Sequence, residues 1–257
     1  MSGAPKRLGP KRPNLRPGVA LRKTRGIKGM TTARAESPDG VVTSLYLRTK
    51  TLQVEAERTG IIRDLLLGEA SREGYALLLR NLLPAYQAME QGLERHLRSP
   101  GVGVLAHYRL DRAPAIESDL RALYGERWAY ELPLLPAGDF YAQRIAKASE
   151  GDGSRLIAHA YTRYLGDLSG GQILQRLLAR SPGLQPAELT FYDFPRFSDL
   201  DALKTDYRRA LDHAGMVAAD RRAVVEEAAI AFSLNIDLSC AVQAAALRRP
   251  AASSAAE

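Results

Sequence analysis

The sequence predicts a single all-α domain, and three observations lead there. Apolar residues recur at three- and four-residue spacing in segment after segment, while runs with strand-like alternation are scarce. The length, 257 residues, suffices for one domain with a substantial core, or for two small ones. No internal repeat divides the chain, and alanine, leucine, arginine and glutamate dominate it.

The elements follow in order. Residues 1–29 carry nine basic residues and no acidic one; removing that charge from the formal +7 leaves −2 on the remainder. With its prolines and glycines, this stretch marks residues 1–42 as a disordered basic arm. The arm lacks the apolar core of a secretory signal. A transit peptide and a nucleic-acid or membrane-surface tail are alternatives, and Met30 as the true start is favoured over both. The domain proper is expected over 43–247, with a disordered tail at 248–257.

A first helix is predicted over Leu45–Arg58, with Ser44 as its N-cap. A long amphipathic helix follows from Ser71 and Gly74 to Leu97, with Leu78, Leu82, Ala85, Met89 and Leu93 in register and Pro84 expected to kink it. Pro114–Tyr124, Pro136–Ser149 and Ser154–Arg180 are the next helices. The Pro182-Gly183 break leads into an aromatic loop through Tyr192 and Phe194. Two final helices are expected near Leu200–Leu211 and Ala219–Leu247. No window reads as 18 apolar residues, so no membrane anchor is expected. The single cysteine, Cys240, excludes internal disulfides and is read as buried packing in a cytoplasmic protein, with organelle targeting by the arm as the alternative.

The most informative run is His159 to Gln172, His-Ala-Tyr-Thr-Arg-Tyr-Leu-Gly-Asp-Leu-Ser-Gly-Gly-Gln. Each glycine in a helix interior costs about 1 kcal/mol relative to alanine. A helix that keeps Gly166, Gly170 and Gly171 therefore needs something flat against its bare backbone, or close packing against another helix. Arg163 and Asp167 exclude a lipid-facing Gly-x-x-x-Gly segment.

This run resembles the signature of the haem oxygenases, in which it forms the distal helix. The resemblance extends over roughly residues 43–247 and includes Phe191–Pro195, Lys204-Thr-Asp-Tyr-Arg208 and Phe232-Ser-Leu-Asn-Ile236. It implies a helical fold with haem sandwiched between a proximal N-terminal helix and the glycine-rich distal helix. It also implies the chemistry: haem is substrate and cofactor, and O2 and external electrons convert it at a meso carbon to biliverdin, CO and Fe²⁺. By resemblance, Asp167 holds a distal water, and Tyr86, Arg163 and Asn235 complete its hydrogen-bond network. Gly166, Gly170, Gly171 and Phe232 would lie against the haem, while Tyr161, Lys204 and Arg208 match propionate contacts. A further basic contact of the family falls at Tyr46. Without the resemblance, Arg163 and Asp167 are an ordinary i,i+4 ion pair and Lys204 and Arg208 a solvated basic face.

One departure is chemical. Aligning Lys50–Glu57 places the family's axial histidine at Gln53 and its supporting glutamate at Glu57. The amide oxygen of glutamine is a hard, neutral donor, and iron prefers imidazole. Gln53 is thus a weak candidate for the metal ligand. His96, His107, His159 and His213 read as surface or structurally satisfied residues. A non-catalytic haem or tetrapyrrole carrier or regulator is the alternative to an enzyme. A di-iron carboxylate oxidase would need Glu-x-x-His motifs, which do not occur. No nucleotide-binding glycine motif is present. Electrons are therefore expected from a donor protein such as a ferredoxin or flavoprotein reductase, docking near Lys204 and Arg208. No nucleic-acid partner is expected.

Overall fold

The computed structural model describes residues 40–180 and 184–248, all of them helix, turn or loop. The expected arm up to residue 39, the Pro182-Gly183 break and the tail from 249 lie outside the described residues. The helices are α1 (Val41–Arg58), α2 (Gly60–Leu67), α3 (Arg72–Arg95), α4 (Gly103–Ala106), α5 (Ala113–Tyr124), α6 (Trp128–Glu131), α7 (Pro136–Ala148), α8 (Leu156–Ala160), α9 (Gln172–Leu178), α10 (Leu200–Met216) and α11 (Arg221–Arg248).

The first helix starts earlier than its sequence pattern indicates. Gly40 occupies the N-cap, Val41 and Val42 are buried, and Ser44 lies inside the helix with its hydroxyl donating back to the Gly40 carbonyl. Ser44 is therefore not the cap. The break at Thr59 and Gly60, invisible in the periodicity, is built by α11. Ser239 Oγ accepts from the Ile62 amide at 3.2 Å and donates to the Thr59 carbonyl at 3.3 Å. Gly60 has φ +61°, and a Cβ there would lie 2.4 Å from the Ser239 carbonyl carbon. Only glycine lets α11 approach so closely.

Ser71 caps α3 by accepting from the Gly74 amide at 3.0 Å, as expected. The helix runs on through Pro84 to Arg95. It packs on α7 at Gly138, where a Cβ would meet Asn81 Oδ1 at 2.8 Å. The Asn81 side chain ties the approach to α7 by donating to the Pro133 carbonyl and accepting from the Leu135 amide. α5 starts with proline in its first turn, and Glu90 of α3 accepts from the Arg112 and Ala113 amides at 2.6 and 2.9 Å.

Two expectations change at α11. Its 28 residues contain an 18-residue window of mean hydropathy 1.5, long and apolar enough to cross a membrane by length and composition. The helix packs along α1, α2, α3, α7 and α8, and 39% of that window is buried in the fold. Cys240 on this helix is exposed, not buried; it lies one position past Ser239, which α11 turns inward.

The stretch predicted as one helix from Ser154 to Arg180 follows one helical path but changes its winding. α8 passes into π-helical turns at Tyr161–Leu165 and Asp167–Gly171, separated by Gly166, before α9 resumes α geometry. π turns are uncommon and concentrate at functional sites. Their wider coil lies where the glycines thin the backbone.

Candidate active site

A cleft of about 1040 Å³, open mouth included, separates α1 from the π-wound segment. Gln53, Ala56 and Glu57 of α1 form one wall. Arg163, Gly166, Asp167 and Gly171 form the opposite wall. Leu78 and Leu82 of α3, Phe191 and Tyr192 of the aromatic loop, and Phe232 and Leu238 of α11 make the interior apolar. Arg208 of α10 and Asn235 of α11 supply polar groups.

The three glycines do different things. Gly166 faces the cleft, and a Cβ there would meet nothing within 4 Å, so its bareness serves whatever enters. A Cβ on Gly171 would lie 2.9 Å from the Tyr192 ring, so this glycine also lets the aromatic loop close on the helix. Gly170 is buried and does not line the cleft.

Behind Asp167 lies a connected polar network. The Tyr86 hydroxyl donates to Asp167 Oδ2 at 2.5 Å, Arg163 Nε donates to the Tyr86 oxygen at 3.0 Å, and Arg163 Nη1 donates to Asn235 Oδ1 at 2.5 Å. Arg163 Nη2 stands 3.5 Å from Asp167 Oδ1. Tyr86 is fully buried and Asp167 only 5% exposed. Burial pushes the Asp167 carboxyl above the ordinary carboxylate range, against the pull of Arg163 and the Tyr86 hydrogen bond. Burial likewise holds the Tyr86 phenol well above its usual value, so it stays protonated and donating. Burial opposes the charge of Arg163, but Tyr86 and Asp167 outweigh it and keep the guanidinium protonated. The result is a carboxyl at the cleft surface whose proton affinity is set by burial, Arg163 and Tyr86.

The α1 wall is different. Gln53 Nε2 donates to Thr49 Oγ1 at 2.8 Å and to the Tyr161 hydroxyl at 3.0 Å. Glu57 lies one turn further on. None of the four histidines lines the cleft. His159 is buried against Glu227, His96 Nε2 meets the Ser149 carbonyl, and His107 Nδ1 meets the Gly103 carbonyl.

At the mouth, the two expected cations part company. Arg208 lines the cleft, and its Nε is buried without a hydrogen-bond partner among the described residues. Such an orphaned donor suits an anionic group entering the mouth. Lys204 does not line the cleft, and its ammonium pairs with Asp201 at 2.7 Å. Tyr161 lines the cleft, with its hydroxyl accepting from Gln53.

The Heme oxygenase family model matches residues 40–241. "Heme oxygenase 1" of Nostoc sp. is 38% identical over 195 residues, covering 76% of this chain and 82% of that protein. The human "Heme oxygenase 1" is 36% identical, covering 78% of this chain and 71% of its own length. The chain belongs to the haem oxygenase family. Its structure agrees: heme oxygenase-1 from Synechocystis, solved in complex with heme, superposes with a TM-score of 0.74 at 30% identity, covering 81% of this chain and 94% of that one. Within this haem oxygenase family member, the open face at Gly166, the apolar interior and the orphaned Arg208 donor fit a flat apolar ring bearing carboxylates. The α1 wall carries no histidine, and Gln53, which stands where the resemblance puts the iron ligand, has an amide that is a weaker donor than imidazole.

Three supporting residues escaped the sequence reading. Thr49, buried on α1, receives the Gln53 amide; its i,i+4 spacing from Gln53 was the available signal. Arg112 donates to the carbonyls of Phe191 and Asp193 and lies 4.1 Å over the Phe194 ring, clamping the aromatic loop. Asp119 accepts from the Thr190 and Phe191 amides at 2.9 and 2.8 Å. Nothing local in the sequence marks Arg112 or Asp119 for that task.

Proposed function

We propose that this haem oxygenase opens haem to biliverdin, CO and Fe²⁺ with O2 and electrons from an external donor protein, and that it does so without the usual axial imidazole. The carrying observation is the Tyr86–Asp167–Arg163–Asn235 network, with its carboxyl at the cleft surface. Haem, when bound, supplies the iron at which O2 is reduced and the ring carbon that is oxidised. The chain supplies orientation and protons. Arg208 anchors a carboxylate of the substrate at the mouth, and Gly166 lets the ring lie against bare backbone. Asp167 positions a water and passes a proton through it. Tyr86 and Arg163 hold the carboxyl in one orientation, and the apolar interior limits competing proton delivery. No nucleotide-binding motif supplies electrons internally, so a ferredoxin or flavoprotein reductase is the proposed partner, with Arg208 in the docking face.

The test is titration of the purified full chain with ferric haem, followed by reductant and oxygen with catalase present. Loss of the Soret band with growth of a broad biliverdin band is the expected result. A second reading, a haem or tetrapyrrole carrier, is favoured by Gln53 alone. Stable haem binding without ring opening would establish it in place of the first.

A further inference from the structure

Phe191 lies in a short 3₁₀ turn, Thr190–Tyr192, and is 1% exposed, so its backbone needs partners inside the protein. Side chains of α5 supply both. Asp119 accepts from the Phe191 amide at 2.8 Å, and Arg112 Nη1 donates to the Phe191 carbonyl at 3.1 Å. Each also takes a neighbouring group. Asp119 accepts from the Thr190 hydroxyl at 2.5 Å, and Arg112 donates to the Asp193 carbonyl. Both side chains are buried, and they stand two turns apart along α5. A third hold comes from α9, where Gln172 Nε2 donates to the Tyr192 carbonyl at 2.8 Å.

The ring fixed in this way does more than line the cleft. Phe191 meets the Tyr86 ring edge to face, with centroids 5.5 Å apart. The Tyr86 hydroxyl in turn is the donor to Asp167 Oδ2. Direct contacts therefore run from two α5 side chains through Phe191 to Tyr86 and end on the carboxyl. We propose that Arg112 and Asp119 are positioning residues for Asp167: they hold Phe191 against Tyr86 and so keep the Tyr86 hydroxyl on that carboxyl. This deepens, and rests on, the reading of Asp167 as the group that handles protons.

The experiment uses Asp119→Asn, Arg112→Lys and Phe191→Leu in the full chain without ligand. Arg112→Lys keeps the charge and loses the fork, so its effect reports geometry. The Tyr86 C–O stretch, isolated as the infrared difference between each chain and its Tyr86→Phe counterpart, reports the phenol's hydrogen bond. A donor band is expected in the native chain, and a broader band shifted towards a free phenol in all three variants. Amide exchange at Thr190 and Phe191 should rise about tenfold in Asp119→Asn and Arg112→Lys, with α7 within about twofold of native. Phe191→Leu leaves the clamp intact and should shift the band without freeing the loop. An unchanged Tyr86 band, or equal acceleration in the loop and α7, overturns the proposal. Turnover supplies a second readout. Asp119→Asn should slow biliverdin formation about fivefold, the effect of one weakened hydrogen bond. In a Tyr86→Phe chain the same substitution should change the rate by less than about twofold, because it acts through Tyr86. Additive losses overturn the proposal. Failure of the native chain to open haem overturns the functional reading, and the infrared band then decides this one.

Discussion

The two walls of the cleft have been built to different standards. On the π-wound wall, Tyr86 and Arg163 meet at the Asp167 carboxyl, and Asn235 in turn holds Arg163. On the α1 wall, Gln53 is also well held, by Thr49 and Tyr161, yet an amide is a poor match for iron. The contrast separates two properties often taken together: a side chain can be rigidly placed and still be the wrong donor. Haem affinity in this chain is expected to come from the apolar interior and the mouth, and oxygen chemistry from the opposite wall.

The largest expected effect lies behind the π-wound wall. His159 of α8 and Arg144 of α7 both bind Glu227 of α11, which is 2% exposed. Glu227→Gln should cost about 3 kcal/mol in urea unfolding, because it leaves buried partners uncompensated. A loss below about 1 kcal/mol would show that this wall does not depend on the cluster. Next, Asp167→Ala should slow biliverdin formation about 100-fold while haem affinity stays near native. An equal fall in affinity would mean that Asp167 binds substrate and does not handle protons. Gln53→His should tighten haem binding about tenfold by restoring a nitrogen donor one turn from Glu57. An unchanged haem spectrum in the folded variant would remove Gln53 from the proximal position.

The remaining prediction is a pH profile. Burial pulls the Glu227 carboxyl upward, but the hydrogen bonds from His159 and Arg144 win and hold it at about 2. Its stabilisation is complete above the unfolded value near 4.5 and is lost as pH falls through the range down to about 2. Glu90 has the opposite sign. Burial outweighs the Ala113 and Arg112 amides and raises it to about 7, so the folded state binds the extra proton between about 4.5 and 7. Stability should decline as pH rises through that window, and Glu90→Gln should abolish the decline. A flat profile from pH 4.5 to 7 in the native chain would contradict the buried, charge-averse setting of Glu90.

The helical class was readable because the apolar spacing of α3, α5 and α7 is regular and their caps or prolines are local signals, as at Ser71, Pro114 and Pro136. The π-wound wall was readable because three glycines in one helical run need something flat, or another helix, against the bare backbone. What escaped depends on contacts distant in sequence. The break at Gly60 is set by Ser239, nearly the whole domain away. The early start of α1 is supported by Asp212 of α10, whose carboxylate accepts from the Val42 amide at 2.9 Å. The departure of Lys204 from the cleft reflects a carboxylate three residues earlier, a pairing that competes directly with any role at the mouth. The winding of the helix itself was hidden, because apolar spacing reports a helix and not which carbonyl each amide bonds.

That winding gives the wall spare length. A π turn holds one more residue than the α turn it replaces, so two successive π turns store about two residues, or about 3 Å of α-helical rise. Exchanging i+5 for i+4 hydrogen bonds can release that length along the helix axis without parting the chain. A straight α-helix over Tyr161–Gly171 would span the same path with fewer residues; the π-wound segment holds the extra ones between α8 and α9.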